Sequence, residues 1–339
     1  MTSISNISEL LKSPRTIAIT THPNPDADAL GSSLGLAHFL SARGHEVTVV
    51  TPTDYPEFLS WMPGSEGVIC HSEETHQQCA QAFSKAEILF CLDFSSLKRL
   101  KGLQEIFVDS NATKVLIDHH LDPDQFADYL MWDTSAAATA ELIYDFILLL
   151  DGRDEITQDI ANCLYAGLMT DTGSFKHPST TAKVHKIVAE LIELGATVNR
   201  VSREIYDTNS LNRLRFIGFA LLERLTVRED LQIAYFVIKA DDFRRFNIKN
   251  SDTEGLVNYA LSIKGIIMAS IIIERDDEIK LSFRSVSDYA VNSFANEHFG
   301  GGGHKNASGG TSEVPLDETI SKFESLIVDF RHKYLQKAV

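Results

Sequence analysis

The stretch TIAITTHPNPDADALGSSLGLAHFL, residues 16–40, decides the fold. Thr16 to Thr20 is a short run of β-formers, and Ala29 to Leu40 continues at helical spacing, so the segment reads strand, polar loop, helix. EVTVV (46–50), ILFCLD (88–93) and KVLID (114–118) repeat the strand signal. Short apolar runs of this kind are expected for strands buried on both faces, as in a parallel sheet with helices on either side. Strand alternating with helix predicts a doubly wound, mainly parallel α/β domain over residues 1–195.

Beyond it, NSLNRLRFIGFALLERL (209–225) spaces Leu211, Leu214, Leu221 and Leu225 as a helix and lies in a connector over 196–230. Residues 231–339 then form a smaller α/β domain. Its strand candidates are 231–238, 266–275 and 278–286, and in the last of these Ile279, Leu281 and Phe283 share one face. Leu316, Ile320, Phe323, Ile327, Phe330 and Tyr334 form a one-sided stripe, which predicts a packed terminal helix.

The chain of 339 residues is 44% apolar and 23% charged, ordinary for a globular protein of two domains. Lys and Arg total 31 against 47 Asp and Glu, a net charge of −16. That balance excludes the broad basic footprint that long nucleic acid requires. A small anionic substrate stays compatible with it where metal ions supply positive charge. Cys70, Cys79, Cys91 and Cys163 have no C-x-x-C spacing and read as free thiols in a reducing compartment. With no membrane-length apolar run and no basic-then-apolar leader at MTSISNISELLKS, the expectation is a cytoplasmic protein.

The chemistry lies in where Asp and His fall. His22, Asp26 and Asp28 follow the first strand, Asp93 ends the third, and Asp118, His119 and His120 end the fourth. Asp171 follows an apolar helical stretch. Ligands of a doubly wound sheet bind at the carboxyl ends of its strands, so these groups converge on one edge. Carboxylates gathered there repel and shift one another's pKa values, and divalent cations resolve the conflict. Imidazole with carboxylate and no thiolate suits Mn²⁺, Mg²⁺, Fe²⁺ or Zn²⁺. Two such ions neutralise Asp26, Asp28, Asp93 and Asp171, and a pair about 3.5–4 Å apart activates water for displacement at phosphorus.

These residues resemble the four motifs of the DHH phosphoesterases: H-x-x-x-D-x-D (His22, Asp26, Asp28), Asp93, the triplet Asp118-His119-His120, and Asp171-Thr172-Gly173. The second unit resembles the DHHA1 domain through Phe283-Arg284-Ser285 and GGGGHKNASGG (300–310). A two-domain chain without further modules is most similar to the nano-RNase type, which degrades very short RNA and dephosphorylates 3′-phosphoadenosine 5′-phosphate (pAp). The resemblance implies one metal on His22, Asp26 and Asp93, and another on Asp28, Asp93, His119 and Asp171. It also implies His120 facing the phosphate and Asp118 as a buried orienting group. Mn²⁺ is the ion the family favours.

The resemblance further implies that Arg284, Gly302, Gly303 and His304 hold the substrate's terminal end, with Lys305 and Arg99 as additional candidates. Glycines can turn successive N–H groups into an anion-binding nest, and arginine grips phosphate bidentately. The implied partners are small nucleotides and very short RNA, with neither long duplex nor membrane, and the oligomeric state, a homodimer included, is left open. Alternatives sharing the motifs are a cyclic or linear dinucleotide phosphodiesterase, an inorganic pyrophosphatase (FKHPSTT, 175–181, is reminiscent of that branch), a long single-strand DNA exonuclease, and a non-catalytic nucleotide sensor.

Overall fold

In the computed structural model, which describes residues 2–3, 6–275, 278–286 and 288–335, the chain divides into two compact units, Met1–Thr208 and Asn209–Val339. The division falls inside the 196–230 segment.

The first unit is built on seven strands: β1 (Thr2–Ser3), β2 (Thr16–Thr20), β3 (Glu46–Thr51), β4 (Ile69–Cys70), β5 (Ile88–Leu92), β6 (Thr113–Asp118) and β7 (Tyr129–Trp132). They lie in the order β1-β7-β6-β5-β2-β3-β4, and every neighbouring pair is parallel. Strand β5 shows why its sequence is continuously apolar. Ile88, Phe90 and Leu92 pack into one core with the helices Ala27–Ala42, Thr139–Leu149 and Gln158–Asp171. Leu89 and Cys91 enter the opposite core with Phe83, Leu103 and Phe107. Both faces are covered, as a parallel sheet requires.

From β2 the chain adds β3 on one side, and later β5 on the other. The loops leaving β2 and β5 therefore diverge, and a crevice opens at their carboxyl ends, the place where doubly wound sheets bind ligands.

Two helices over that crevice approach unusually closely, because glycines line their contact. A Cβ added at Gly31 would lie 2.4 Å from the Cys163 carbonyl oxygen, and one at Gly35 would lie 3.0 Å from a Leu164 methyl. From the facing helix, a Cβ at Gly167 would lie 2.7 Å from Asp28 Oδ1.

The second unit has a mixed sheet ordered β12-β13-β11-β10-β9-β8. Its strands are β8 (Leu225–Arg228), β9 (Ile233–Ile238), β10 (Met268–Glu274), β11 (Ile279–Ser285), β12 (Gly302–His304) and β13 (Ala307–Ser312). Only β9 and β10 run parallel. Leu281 and Phe283 face a core completed by Phe294, Phe323 and Ile327, so the terminal helix Leu316–Leu335 packs through its stripe from Leu316 to Phe330, and the Tyr334 side chain lies outside the described residues.

One local expectation needs correcting. The helix read over 209–225 is α-helical only over Leu211–Phe219, widens into a π turn at Ala220–Arg224, and gives way to β8. Its buried face is Phe216, Ile217 and Ala220, whereas Leu211, Leu214 and Leu222 are exposed. The β-branched Thr226 and Val227 end the helix by pairing with Tyr235 and Ala234 of β9. The glycine run forms a tight hairpin. Gly302–His304 pairs residue for residue with Gly309–Ala307, and a Cβ at Gly301 would meet the Gly309 carbonyl oxygen at 1.8 Å. Close backbone approach explains that glycine.

Candidate metal centre

Strand β2 delivers its groups through a helix cap. Asp26 is the N-cap of Ala27–Ala42, and its Oδ1 accepts from the backbone N–H groups of Asp28 and Ala29, each at 3.0 Å. Its other oxygen, Oδ2, lies 3.9 Å from His22 Nε2. The His22 ring is set by its own loop, with Nδ1 donating to the Pro23 carbonyl at 3.0 Å. That bond turns Nε2 to Asp93 Oδ2, 3.3 Å away.

Asp93 follows β5 in a left-handed conformation, φ 63°, an uncommon state that aspartate tolerates better than most residues. Buried at 2% exposure, it addresses two sets of groups. Oδ2 faces His22, while Oδ1 lies 3.4 Å from His119 Nε2 and 3.6 Å from His120 Nδ1. His119 is oriented in the same manner as His22, its Nδ1 donating to the Ala136 carbonyl at 3.2 Å. Its Nε2 lies 3.4 Å from Asp171 Oδ2 and 3.9 Å from Asp28 Oδ2.

The eight motif residues thus assemble into three groups: His22 with Asp26 and Asp93, Asp28 with His119 and Asp171, and Asp93 again with Asp118 and His120. Asp118 is fully buried, and its Oδ1 accepts from both the backbone N–H and the Nδ1–H of His120, at 3.2 and 2.8 Å.

The electrostatics of this cluster are tense. Burial is the largest influence on Asp28, Asp93, His119 and Asp171. For Asp28 it combines with the nearby Asp93 charge to push the carboxyl up to about 7. Asp171 is raised well above the usual range by desolvation and then by Asp28 and Asp26. Burial disfavours charge on His119, yet hydrogen bonding to Asp93 and the surrounding carboxylates carry it up to about 11. Asp93 is held well below the usual range: burial opposes its charge, but hydrogen bonds from His119 and His22 prevail.

Divalent cations fit these residues. Both imidazoles turn Nδ1 onto carbonyls and Nε2 onto carboxylates, the arrangement of metal-ligating histidine. Three of the spacings between these Nε2 atoms and carboxylate oxygens, 3.3–3.4 Å, fall within the about 3.0–3.5 Å between ligand atoms around an ion with bonds near 2.1 Å, and the other two, at 3.9 Å, are wider.

Several supporting residues escape sequence reading. Thr139, at the start of the helix Thr139–Leu149, donates its hydroxyl to Asp93 Oδ1 at 2.8 Å and its backbone N–H to Asp28 Oδ2 at 2.7 Å. Ala140 N–H reaches Asp28 Oδ1 at 2.9 Å, so this helix places its positive end on Asp28. Their partners lie 46 to 112 residues away in sequence, and no local pattern marks them. The glycines were detectable: Gly31-x-x-x-Gly35 is a close-packing spacing on one helix face.

Comparison with known proteins agrees with this geometry. The models described as "DHH family, N-terminal domain" and "DHHA1 domain" match residues 16–168 and 230–330. The chain is 30% identical over 316 residues to the bifunctional oligoribonuclease and PAP phosphatase NrnA of Bacillus subtilis, covering 92% of this chain and 94% of that protein. The chain belongs to the DHH family. The protein of the same name from Thermus thermophilus is 30% identical over 93% of this chain and 90% of its own length. A crystal structure of an exopolyphosphatase-related protein from Bacteroides fragilis superposes with TM-score 0.92 at 34% identity, covering 97% of this chain and 96% of that one.

In the second unit of this DHH chain, the register sets Arg284 beside Ala307 and Ala307 beside His304. Arg284 and His304 are thus two strand spacings apart, about 10 Å. Gly302 and Gly303 are exposed on β12, and Lys305 pairs with Asp288 at 2.7 Å. Arg99 is exposed in the first unit, close enough to His22 for its charge to oppose protonation of that ring. All four cysteines are free thiols.

Proposed function

We propose that this chain hydrolyses very short RNAs and pAp in the cytoplasm, using two divalent cations, Mn²⁺ by preference. The observation that carries the reading is Asp93, whose two oxygens face two separate ligand groups at the switch point of the sheet. Full-length similarity to two proteins named oligoribonuclease and PAP phosphatase supports the substrate class. Among the described residues no helix is long and apolar enough to cross a membrane.

His22, Asp26 and Asp93 would hold one cation, and Asp28, His119 and Asp171 the other, with Asp93 between them. When bound, the pair supplies a water activated for in-line attack at phosphorus and neutralises the charge that develops there. Asp118 fixes the His120 ring through Nδ1, so that its Nε2 edge would meet a phosphate oxygen. The Thr139–Leu149 helix keeps Asp28 in place with two backbone N–H groups, and the buried setting strengthens each of these contacts.

In the second unit, Arg284 would grip the terminal phosphate as a fork, with Gly302, Gly303 and His304 alongside. Lys305 would exchange Asp288 for the phosphate, and Arg99 would add charge near the metals. Few phosphate contacts are needed for a substrate of this size, which agrees with the acidic net charge.

Purified protein with Mn²⁺ is to be assayed on pAp, RNAs of two to five nucleotides, a cyclic dinucleotide and a twenty-nucleotide RNA. Turnover of the first two classes well above the others is expected. Preference for the cyclic dinucleotide or the long RNA would overturn the assignment.

A further inference from the structure

The metal centre accounts for the phosphate but leaves the base of a nucleotide without a partner in the first unit. Strand β7 ends on Trp132, which is 42% exposed. It is the register partner of Asp118 across β6 and β7, and its indole Nε1–H donates to the carbonyl oxygen of His120 at 2.6 Å. The side chain is thus pinned by its polar edge to the residue whose ring faces Asp93. Leu121, which follows His120 in the chain, is 44% exposed as well.

A large aromatic side chain held in one orientation beside a polar centre gains less from burial than a core residue would. An exposed π face does suit a nucleobase, because stacking is sequence-tolerant and needs no hydrogen-bond readout. We propose that Trp132 is a stacking platform for the base of the nucleotide whose phosphate is cut. This inference rests on the proposed nucleotide hydrolysis and adds to it the means by which a base-bearing substrate is preferred. The platform reads aromatic surface and not base identity, so it favours short RNA of any sequence together with pAp.

The chain has two tryptophans, and the other, Trp61, is partly buried. A W61F protein therefore reports on Trp132 alone. Adenosine 5′-monophosphate titrated into this Mn²⁺-loaded protein should quench the indole emission, and ribose 5-phosphate, which lacks the base, should not. Replacing Trp132 with alanine should raise KM for a diribonucleotide by about 5- to 100-fold, the range for loss of one stacked base, with W132F recovering most of it. Equal emission changes with the two ligands, no change with either, or an unaltered KM in W132A would overturn the proposal. If the protein hydrolyses neither pAp nor short RNA, the functional reading fails, and the two titrations still decide whether a base stacks on Trp132.

Discussion

Replacing Gly167 with alanine tests whether the close approach of two helices holds the metal ligands in place. The new methyl would lie 2.7 Å from Asp28 Oδ1, 2.8 Å from Ala140 Cβ and 3.2 Å from Asp28 Cα. Ordinary contacts between such atoms are about 3.5–4 Å, so something must move by roughly 0.7 Å or more. Asp28 is fully buried and tied to Thr139 N, Ala140 N and Ser32 Oγ, so the strain falls on the site. Overpacking costs about 1–3 kcal/mol, and the better helix propensity of alanine returns up to about 1 kcal/mol. The variant is therefore expected to fold, with a melting temperature lowered by a few degrees. A shift approaching 1 Å in a site of this kind costs about 100-fold in rate. We expect kcat on pAp to fall by about 10- to 100-fold and Mn²⁺ affinity to weaken with it, measured by turnover and by calorimetric titration. Gly218→Ala is the control, since a Cβ there meets nothing within 4 Å. A G167A protein with unchanged metal affinity and turnover would refute the reasoning.

Thr139→Val removes the hydroxyl donor to Asp93 while keeping the side-chain shape, and should weaken Mn²⁺ binding by about 10- to 100-fold, with T139S restoring it; wild-type binding by T139V would contradict the role. In the metal-free protein Asp28 is raised to about 7 and His119 to about 11. A group raised in the fold contributes stability at low pH and loses it as pH climbs from its unfolded toward its folded pKa. Denaturant melts of metal-free protein should therefore show lower stability at about pH 9 than at about pH 6, with saturating Mn²⁺ removing the trend; a metal-free protein more stable at the higher pH would contradict this. Arg284→Ala should raise KM for pAp by about 10- to 100-fold, from loss of charge-assisted bonds worth about 1.5–3 kcal/mol, and affect a small artificial phosphoester far less. Equal losses on both would place Arg284 outside nucleotide binding.

The sheet of the first unit was legible because burial on both faces leaves an apolar run that few other environments produce. Ile88–Leu92 is such a run, and all five residues are buried. The Asp and His groups were legible for a related reason: each lies where a strand or helix ends, so the topology alone carries them to one edge. Thr139 and Ala140 were hidden because their contacts to Asp28 and Asp93 exist only after distant segments meet. The leucines of 209–225 mark a helix but not its buried face, which Phe216, Ile217 and Ala220 supply. The glycine run alone does not fix its own backbone, because glycine serves both an open loop and a crowded hairpin. Only the pairing of Gly302–His304 with Ala307–Gly309 separates the two.

Diffraction from Mn²⁺-soaked crystals at the manganese absorption edge gives the most direct test. Two anomalous peaks per chain, about 3.5–4 Å apart with Asp93 between them, are predicted, one beside His22 and the other beside His119. A single peak, or peaks that leave Asp93 out of contact, would contradict the shared-carboxylate centre on which the proposed hydrolysis depends.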